Sequence, residues 1–352
     1  MKTALININN VIDDNKASLA QLITDLQFKN NPDLLLKYGI AGKEKCCADN
    51  LYHLSYLSEA IRIESIEIFA AYLVWAQKML VARKIPIIDL SNNLGYIDLA
   101  CKEVLPKEAY KIIHFYILKS KERIKNIQTN PETYFNDNNP LLEDAKKYLD
   151  FLLKAKRIQA QAMITNLVKN GNPISSLYDN IFKVTQCEIG LLWQNNVITV
   201  AHEHYCTAAT QSIMSTLYPH IFTSEKKERR MLACSVSGEL HEIGIRMLSD
   251  LFEIDGWDTY YMGASMPEAD IIKAVAGQNP QLLAISATMS FNIAKVESLI
   301  KKIRNNISIA NLKIMVGGYP FTLVQDLWRK VGADASAPTA KEAIKIANNM
   351  FF

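Results

Sequence analysis

A histidine with an acidic residue two positions before it stands in the final third of the chain, in the segment Glu239-Leu240-His241-Glu242-Ile243-Gly244. A neutral imidazole is a good ligand for a late first-row metal ion. A carboxylate two residues away can hold the second ring nitrogen and fix the tautomer. The residue types therefore predict that His241 binds a metal ion and that Glu239 supports its ring.

The surrounding sequence predicts the elements that position this histidine. The apolar run MLACSV at 231–236 is typical of a buried strand, and residues 241–254 have helical apolar spacing. His241 is therefore expected on a strand-to-helix loop, and such loops line the ligand-binding crevice of open parallel sheets. Further strands are predicted at 258–263, 282–287, 312–316 and 333–335, with helices at 267–277, 293–303, 321–331 and 339–352. This alternation over 231–352 predicts a doubly wound, flavodoxin-like parallel sheet of five strands.

Two later motifs complete a family pattern, namely Ser286-Ala287-Thr288 and Gly317-Gly318. Together with Glu-x-His-x-x-Gly they resemble the cobalamin-binding domain of methionine synthase, mutases, corrinoid methyl carriers and B12 photoreceptors. The family usually has Asp at the position of Glu239. The resemblance implies that His241 is the lower axial ligand of cobalt and that the nucleotide tail runs beside the sheet. The other residues that it implies for cofactor binding are Glu239, Gly244, Ser286, Thr288, Gly317, Gly318 and Tyr319.

Residues 141–222 are predicted to form a four-helix bundle, with helices at 141–170, 173–184, 187–195 and 200–217. By the same resemblance, this bundle covers the upper corrin face. Trp193 is followed after nine residues by Glu203-His204, which resembles a signature of the CarH/LitR light-sensing B12 proteins, where these residues surround the adenosyl group. Those proteins have a histidine directly after the tryptophan, but this chain has Gln194. Water, His202 or His204 would then occupy the upper face after photolysis.

Residues 1–130 are predicted to be an all-helical module, with regular helical spacing from Lys16 onward. Its aromatic and basic side chains fit either core packing or a site for a second, flat ligand. The segment 52–60 resembles one found in the photocobilin subfamily, which pairs B12 with biliverdin. The residues proposed for a bilin are Tyr52, His53, Tyr56, Arg62, Tyr72, Trp75, Arg83 and His114.

The composition of the chain limits the kinds of molecule that it is expected to bind. The 352 residues carry a formal net charge of only +3, and the basic residues are dispersed, so direct nucleic-acid binding is not predicted. The N-terminal module has no basic recognition helix like that of the DNA-binding photoreceptors. Six cysteines lack metal-site spacing and are expected to be free thiols. The absence of a signal peptide and of an apolar run of bilayer length predicts a cytoplasmic protein without membrane partners.

These resemblances together imply a light-responsive adenosylcobalamin sensor that is not itself an enzyme, with biliverdin as a further chromophore. Photolysis of the cobalt–carbon bond would change the bundle position and the state of a homo-oligomer, or signal to a separate downstream protein. Two alternatives stay open at this point. One is a corrinoid methyl-carrier subunit of a cobalamin-dependent methyltransferase system, and the other is a light-independent B12-binding regulator.

Overall fold

The computed structural model describes residues 8, 10–124, 133–222 and 224–351. The chain divides into two compact units, of which the first holds residues up to 129 together with Met289–Ala294 and Leu323–Leu327. The second unit holds the remaining residues. The predicted fold class is confirmed, because a helical N-terminal region precedes a C-terminal parallel sheet of five strands. None of the described helices combines the length and apolarity needed to cross a bilayer.

The first unit contains long helices whose buried faces repeat every three or four residues. On α2, Leu54, Leu57 and Ile61 are completely buried, which is the spacing of one helical face. A kink at Gly39 interrupts this helix, and the φ of +63° there suits glycine. The predicted end of the helical module at residue 130 lies outside the described residues. The helices are α1 (Lys16–Asn30), α2 (Asp33–Arg62), α3 (Ile66–Ala82), α4 (Ile87–Val104) and α5 (Lys107–Ile124).

The bundle in the second unit differs from the prediction at two helix boundaries. The single helix predicted over 141–170 is two helices, because the chain turns at Ala155 with φ +53°. The two helices predicted at 173–184 and 187–195 are one continuous run that contains a π-helical turn, Tyr178–Lys183. The α-helices are α6 (Leu142–Leu153), α7 (Arg157–Lys169), α8 (Ile174–Leu177), α9 (Val184–Gln194), α10 (Val200–Ser215) and α11 (Tyr218–Ile221).

The sheet has the order β2-β1-β3-β4-β5, and every neighbouring pair is parallel. The inner strands β1 and β3 are almost entirely buried, as expected for a sheet covered on both faces. The edge strand β2 is longer than predicted and half-buried, while β5 is only two residues long. The strands are β1 (Arg230–Val236), β2 (Asp258–Met266), β3 (Leu282–Ser286), β4 (Lys313–Gly317) and β5 (Ala335–Ser336).

The helices that follow the strands complete the doubly wound arrangement. The helix predicted at 321–331 is two short helices, because the chain turns at Asp326 with φ +58°. The helices of this part are α12 (Ile243–Ile254), α13 (Glu268–Gln278), α14 (Ile293–Asn305), α15 (Tyr319–Leu323), α16 (Leu327–Lys330) and α17 (Ala340–Asn349).

Helix α12 belongs to two hydrophobic cores at once. Ile245 and Phe252 are buried against the sheet in a cluster that contains the fully buried Trp257. Met247 and Leu251, on another side of the same helix, are buried in the core of the bundle. Because α12 begins two residues after His241, both cores fix the direction in which the His241 loop leaves the sheet.

Candidate functional site

The His241 loop lies where the strand order reverses. From β1 the chain moves to the edge strand β2 and then returns to β3 on the other side of β1. The carboxyl ends of β1 and β3 are therefore adjacent, and their following loops diverge to opposite faces. This is the position at which open α/β sheets bind ligands.

Glu239 is the buried anchor of the loop, with no exposed surface. One carboxylate oxygen accepts hydrogen bonds from His241 Nδ1 at 2.6 Å and from the His241 backbone N–H at 3.1 Å. The other oxygen accepts from the backbone N–H of Thr288 at 2.8 Å. One side chain thus ties the loop after β1 to the loop after β3. The glutamate reaches the imidazole directly, despite its extra methylene relative to aspartate.

His241 presents its other ring nitrogen outward. An ionised carboxylate can only accept, so the contact with Glu239 assigns the proton to Nδ1 and leaves Nε2 as a lone-pair donor. Nε2 has no hydrogen-bond partner among the residues that the structure describes, and the side chain is 58% exposed. The hydrogen bond that His241 donates to Glu239 raises the pKa of His241, burial opposes this, and the charges of Glu239 and Glu203 add to it. A more basic imidazole is a stronger metal ligand.

The two glycines at the carboxyl end of β4, Gly317 and Gly318, differ in what surrounds them. Gly318 has φ +108°, and a β-carbon there would lie 2.0 Å from the carbonyl oxygen of Ala287, so no other residue fits without movement. Gly317 pairs with Ser286 in the sheet register, and a β-carbon on it would meet nothing within 4 Å. Gly317 therefore borders open space at the same sheet edge. Tyr319, at the start of α15, is 53% exposed.

The donor set fits a metal that arrives with most of its own ligands. In the described parts of the chain, no group of three His, Cys, Asp or Glu side chains is arranged to hold a metal ion. His241 can supply one nitrogen ligand, and a corrin ring would bring its own ring nitrogens. The single imidazole and the open edge at Gly317 fit that cofactor, whereas a free metal ion would need more protein ligands.

A row of polar side chains on α10 lies on the side of the bundle toward this loop. Glu203, Thr207 and Gln211 are spaced by four residues, and Thr207 Oγ1 donates to Glu203 Oε1 at 3.0 Å. Gln211 Nε2 donates to Glu242 Oε1 at 2.8 Å. Since the Glu203 charge also raises the pKa of His241, that carboxylate is within electrostatic range of the imidazole. The structure thus brings Glu203 and His241 into one region.

The other predicted bundle residues differ in exposure. Trp193 is half-buried near the end of α9, and Gln194 is only 8% exposed, so it is an interior residue. His204 is exposed, and its Nδ1 is hydrogen-bonded to Glu203 Oε2. His202 Nδ1 lies 2.8 Å from Thr199 Oγ1 in the cap of α10. Both histidines that were considered as replacement upper ligands therefore have one ring nitrogen already engaged.

The residues proposed for a bilin divide into rings that contact one another and basic residues with other partners. Tyr56 and Tyr72 stack with centroids 3.9 Å apart, and Tyr72 OH lies 2.9 Å from His53 Nδ1. Phe291 contacts Tyr52 and Tyr56, and Trp75 stacks against Tyr72. The basic members pair elsewhere: Arg62 with Glu59, Arg83 with the Met79 carbonyl and His114 with Asp98.

This ring cluster leaves no gap between Tyr56 and Tyr72. A flat ligand would have to separate them before it could lie between their faces. The first unit also has an open surface cavity of about 520 Å³, lined by residues of α1 and α2 that include Thr24, Lys43 and Cys47. None of the predicted bilin residues lines that cavity. The bilin site remains a prediction.

Three residues that were not predicted to belong to the site support the His241 loop, namely Ser265, Glu242 and Gln211. Ser265 donates its backbone N–H to the Glu239 carbonyl and accepts from the Gly238 N–H, both at 3.0 Å. Glu242 Oε2 accepts from the hydroxyl of Tyr261 on β2 at 2.7 Å. Gln211 stands eight residues after Glu203, and this helical spacing is the signal that could have identified it. Ser265 follows a register shift between β1 and β2, which the sequence does not reveal.

Two spans of the chain match known families. Residues 229–347 match a family model described as a B12 binding domain, and residues 145–218 match a second model with the same description. The first span contains the sheet and the His241 loop, and the second lies within the bundle. Residues before 145 lie outside both spans.

Similar proteins come from methanogens. Monomethylamine corrinoid protein 1 of Methanosarcina mazei is 30% identical over 149 residues, which cover 40% of this chain and 67% of that protein. Dimethylamine corrinoid protein 3 of Methanosarcina acetivorans is 25% identical over 165 residues, covering 46% of this chain and 76% of the relative. The structure of a Methanosarcina barkeri monomethylamine corrinoid protein superposes with a TM-score of 0.53 and 21% identity, over 60% of this chain and 99% of that one.

Proposed function

Because this chain belongs to the family of B12-binding corrinoid proteins, we propose that it binds cobalamin at the edge of the sheet and carries a methyl group in a cobalamin-dependent methyltransferase system. The observation that carries this proposal is the hydrogen bond between His241 and Glu239. It commits Nδ1 to the protein and leaves Nε2 for cobalt. The names of the relatives, which are methylamine corrinoid proteins, support the carrier role.

In this proposal, His241 would bind cobalt through Nε2, and Glu239 would set the direction and basicity of its ring. Bound cobalamin would supply a cobalt centre able to accept and release a methyl group on its upper side. The buried Glu239 carboxylate also accepts a hydrogen bond from the Thr288 amide, so it holds the loops after β1 and β3 together. A fixed ring needs no reorientation when the charge on the metal changes.

The remaining predicted residues have binding roles. Ser286, Thr288 and Tyr319 would line the path of the nucleotide tail, and Gly317 would let the tail approach the backbone closely. Gly318 would preserve the turn that keeps this edge open. Gly244, in the first turn of α12, also has open space where a β-carbon would stand. The bundle would cover the upper face through the end that carries Trp193 and Glu203.

The test uses protein reconstituted with cobalamin and read by visible absorption. Wild-type protein should show an imidazole-ligated corrinoid, and His241→Ala should lose that spectrum and at least about tenfold in affinity. Glu239→Gln removes the charge but keeps a hydrogen-bonding side chain, so the spectrum should persist with affinity reduced about tenfold. A His241→Ala variant with wild-type spectrum and affinity would contradict the proposal that His241 binds cobalt.

The carrier role has a separate test. Wild-type protein loaded with methylcobalamin should lose its methyl group to a thiol acceptor when a partner methyltransferase is added. Protein that binds methylcobalamin normally but stays methylated with each candidate partner enzyme would argue against a carrier and leave the cobalamin site intact.

A light-responsive adenosylcobalamin sensor is the second candidate. The observation that favours it is the Glu203 carboxylate, which interacts with His204 and also raises the pKa of His241. A carboxylate in that position could accept hydrogen bonds from ribose hydroxyls, and Trp193 could cover the adenosyl group. The sensor requires tight adenosylcobalamin binding, rapid spectral conversion under green light and a changed elution volume afterwards. A carrier would keep its elution volume.

A further inference from the structure

A short segment directly after the sheet-edge residue Thr288 belongs to the first unit. This segment, Met289–Ala294, contains a 3₁₀ turn, Ser290–Asn292, which packs against α2. Ser290 is 3% exposed and Asn292 is completely buried. Serine and asparagine are usually exposed in proteins, so their burial here shows that the turn has a definite place in the packing of the first unit.

Phe291, in the middle of this turn, lies against two tyrosines of α2. Its ring centroid is 6.2 Å from that of Tyr52 in a tilted contact and 5.4 Å from that of Tyr56 in an edge-to-face contact. The edge-to-face geometry is favourable because the positive edge of one ring meets the negative face of the other. The Tyr56 hydroxyl also donates to Met289 Sδ at 3.8 Å. Met289 and Phe291 are thus both held by α2.

The two tyrosines differ in how firmly they are fixed. Tyr56 is 8% exposed and stacks on Tyr72, so it presents a rigid surface to Phe291. Tyr52 is 48% exposed. Substitution of a half-exposed side chain has a small effect on stability, so Tyr52 can be changed without unfolding the protein.

The backbone immediately before this segment is tied to the candidate cobalamin site. The Thr288 N–H donates to Glu239 Oε2 at 2.8 Å, and the Ala287 N–H donates to the Gly317 carbonyl at 3.0 Å. The loop after β3 is therefore held to the loop after β1 and to the end of β4 as far as Thr288.

Little flexible chain lies between Thr288 and Phe291. Only Met289 and Ser290 separate them. The turn is closed by the Asn292 N–H, which donates to the Met289 carbonyl at 2.9 Å. Planar peptide bonds leave two soft dihedral angles per residue, and the turn fixes several of these. A displacement of the Phe291 ring is therefore passed on to the backbone at Thr288.

We propose that Phe291 is a positioning residue for cobalamin binding and makes the site selective for a corrinoid that carries its nucleotide tail. Tyr52 and Tyr56 hold Phe291, and Phe291 fixes the backbone at Thr288, where the tail would pass. This inference rests on the proposed function, because the tail path past Thr288 is part of that proposal.

The experiment compares two corrinoids that differ in the tail. Aquocobalamin carries the nucleotide tail and diaquocobinamide lacks it, so the ratio of their affinities measures what the tail contributes to binding. Both are titrated into full-length, cofactor-free protein and followed by visible absorption.

Four variants isolate the role of the Phe291 ring. Phe291→Ala removes the ring, and Phe291→Tyr keeps it. Tyr52→Ala removes one partner of the ring at a half-exposed position of α2. Phe115→Ala, at a 49% exposed position of α5, is the matched control for loss of an aromatic ring from the first unit.

Phe291→Ala should weaken aquocobalamin binding about tenfold, which corresponds to about 1.4 kcal/mol, and leave cobinamide binding within about twofold of wild type. Tyr52→Ala should weaken aquocobalamin binding about threefold, because Tyr56 still holds the ring. Phe291→Tyr and Phe115→Ala should leave both affinities within about twofold of wild type. Equal weakening of both corrinoids in Phe291→Ala would show a general structural role. That result, or an unchanged affinity ratio, would overturn the proposal.

Hydrogen exchange of the Thr288 amide in cofactor-free protein is a second readout. The hydrogen bond to Glu239 protects this amide. Phe291→Ala should speed its exchange about tenfold, because local opening of the loop becomes easier. Phe115→Ala should leave the exchange rate unchanged. Wild-type protection in Phe291→Ala would mean that the ring does not position Thr288.

Failure of the two proposals can be told apart. Wild-type protein that takes up neither corrinoid, or binds them without an imidazole ligand, contradicts the proposed function. The exchange measurement needs no cofactor, and it still decides whether Phe291 positions Thr288. Wild-type protein that binds both corrinoids equally well contradicts the selectivity. Normal cobalamin binding with an unchanged ratio and unchanged exchange in Phe291→Ala contradicts the positioning role alone.

Discussion

Two histidines, one in each unit, have opposite surroundings. His241 projects from a loop with its pKa raised, chiefly by the hydrogen bond that its ring donates to Glu239. His53 is buried on α2, and burial lowers its pKa to about 4. Both have a hydrogen-bond partner at Nδ1, but the partner is a carboxylate for His241 and the phenol of Tyr72 for His53. The first ring is kept basic and exposed, and the second is kept neutral and enclosed.

The difference distinguishes a proposed binding site from a packed core. At the sheet edge, the buried Glu239 orients the His241 ring, whose other nitrogen has no hydrogen-bond partner within the described ranges of the chain. In the helical unit, Tyr56 and Tyr72 cover each other, and His53 is 6% exposed. Residue types alone do not distinguish these cases, because both regions combine histidine with polar neighbours. The distinction is that the Nε2 lone pair of His241 is available to a ligand and lies at an open edge of the sheet.

Substitution of the two glycines at the carboxyl end of β4 should give the largest effect. Gly318→Ala should lower the free energy of unfolding by at least about 3 kcal/mol, because its β-carbon would overlap the Ala287 carbonyl in a strained backbone conformation. Gly317→Ala should change stability by less than about 1 kcal/mol, since its β-carbon meets nothing. Urea unfolding of cobalamin-free protein measures both.

The same pair also tests the open edge as a binding surface. Gly317→Ala should weaken cobalamin binding at least about tenfold, which corresponds to about 1.4 kcal/mol, because the added methyl group occupies the space proposed for the nucleotide tail. A titration followed by absorption measures this. Wild-type affinity in Gly317→Ala would mean that the tail does not pass this residue.

The burial of His53 should make the free energy of unfolding depend on pH, and this effect should be of intermediate size. With a native pKa of about 4 and an ordinary value of 6.5, the unfolded chain binds a proton at His53 that the native state does not. Stability is therefore full above the ordinary value and is lost as pH falls toward the native value, by roughly 2 kcal/mol between about pH 8 and about pH 5. His53→Gln should remove this contribution, whereas His220→Gln, at an exposed position, should not. Urea unfolding at the two pH values measures the difference, and parallel pH profiles for wild type and His53→Gln would contradict the enclosed state.

Biliverdin is expected to give the smallest effect, because binding between Tyr56 and Tyr72 must work against their stacking. We expect at most a weak far-red band when biliverdin is added to the protein. A strong band that disappears in Tyr56→Ala would show that the stack opens for a ligand. It would contradict the contrast between an open sheet edge and a closed ring cluster.

Much of the sheet could be predicted because its local signals agree with its tertiary role. The buried strand at 231–236 and the helical spacing after it both follow from burial on two sides, and the structure has β1 and α12 there. The helix boundaries in the bundle were wrong where a single backbone conformation decides them. Ala155 adopts a left-handed φ that its residue type does not announce, and the π-turn at Tyr178–Lys183 continues a helix across a predicted gap.

The sequence by itself determined the fold class and the set of residues able to ligate a metal, because periodicity and residue chemistry are local properties. The tertiary structure alone decided which partners those residues meet. Glu239 reaches the amide of Thr288, forty-nine positions away, only because β1 and β3 are neighbours in the sheet. Gln211 meets Glu242 only because α12 is shared between two cores. Such contacts depend on the packing of distant segments, which no local pattern specifies.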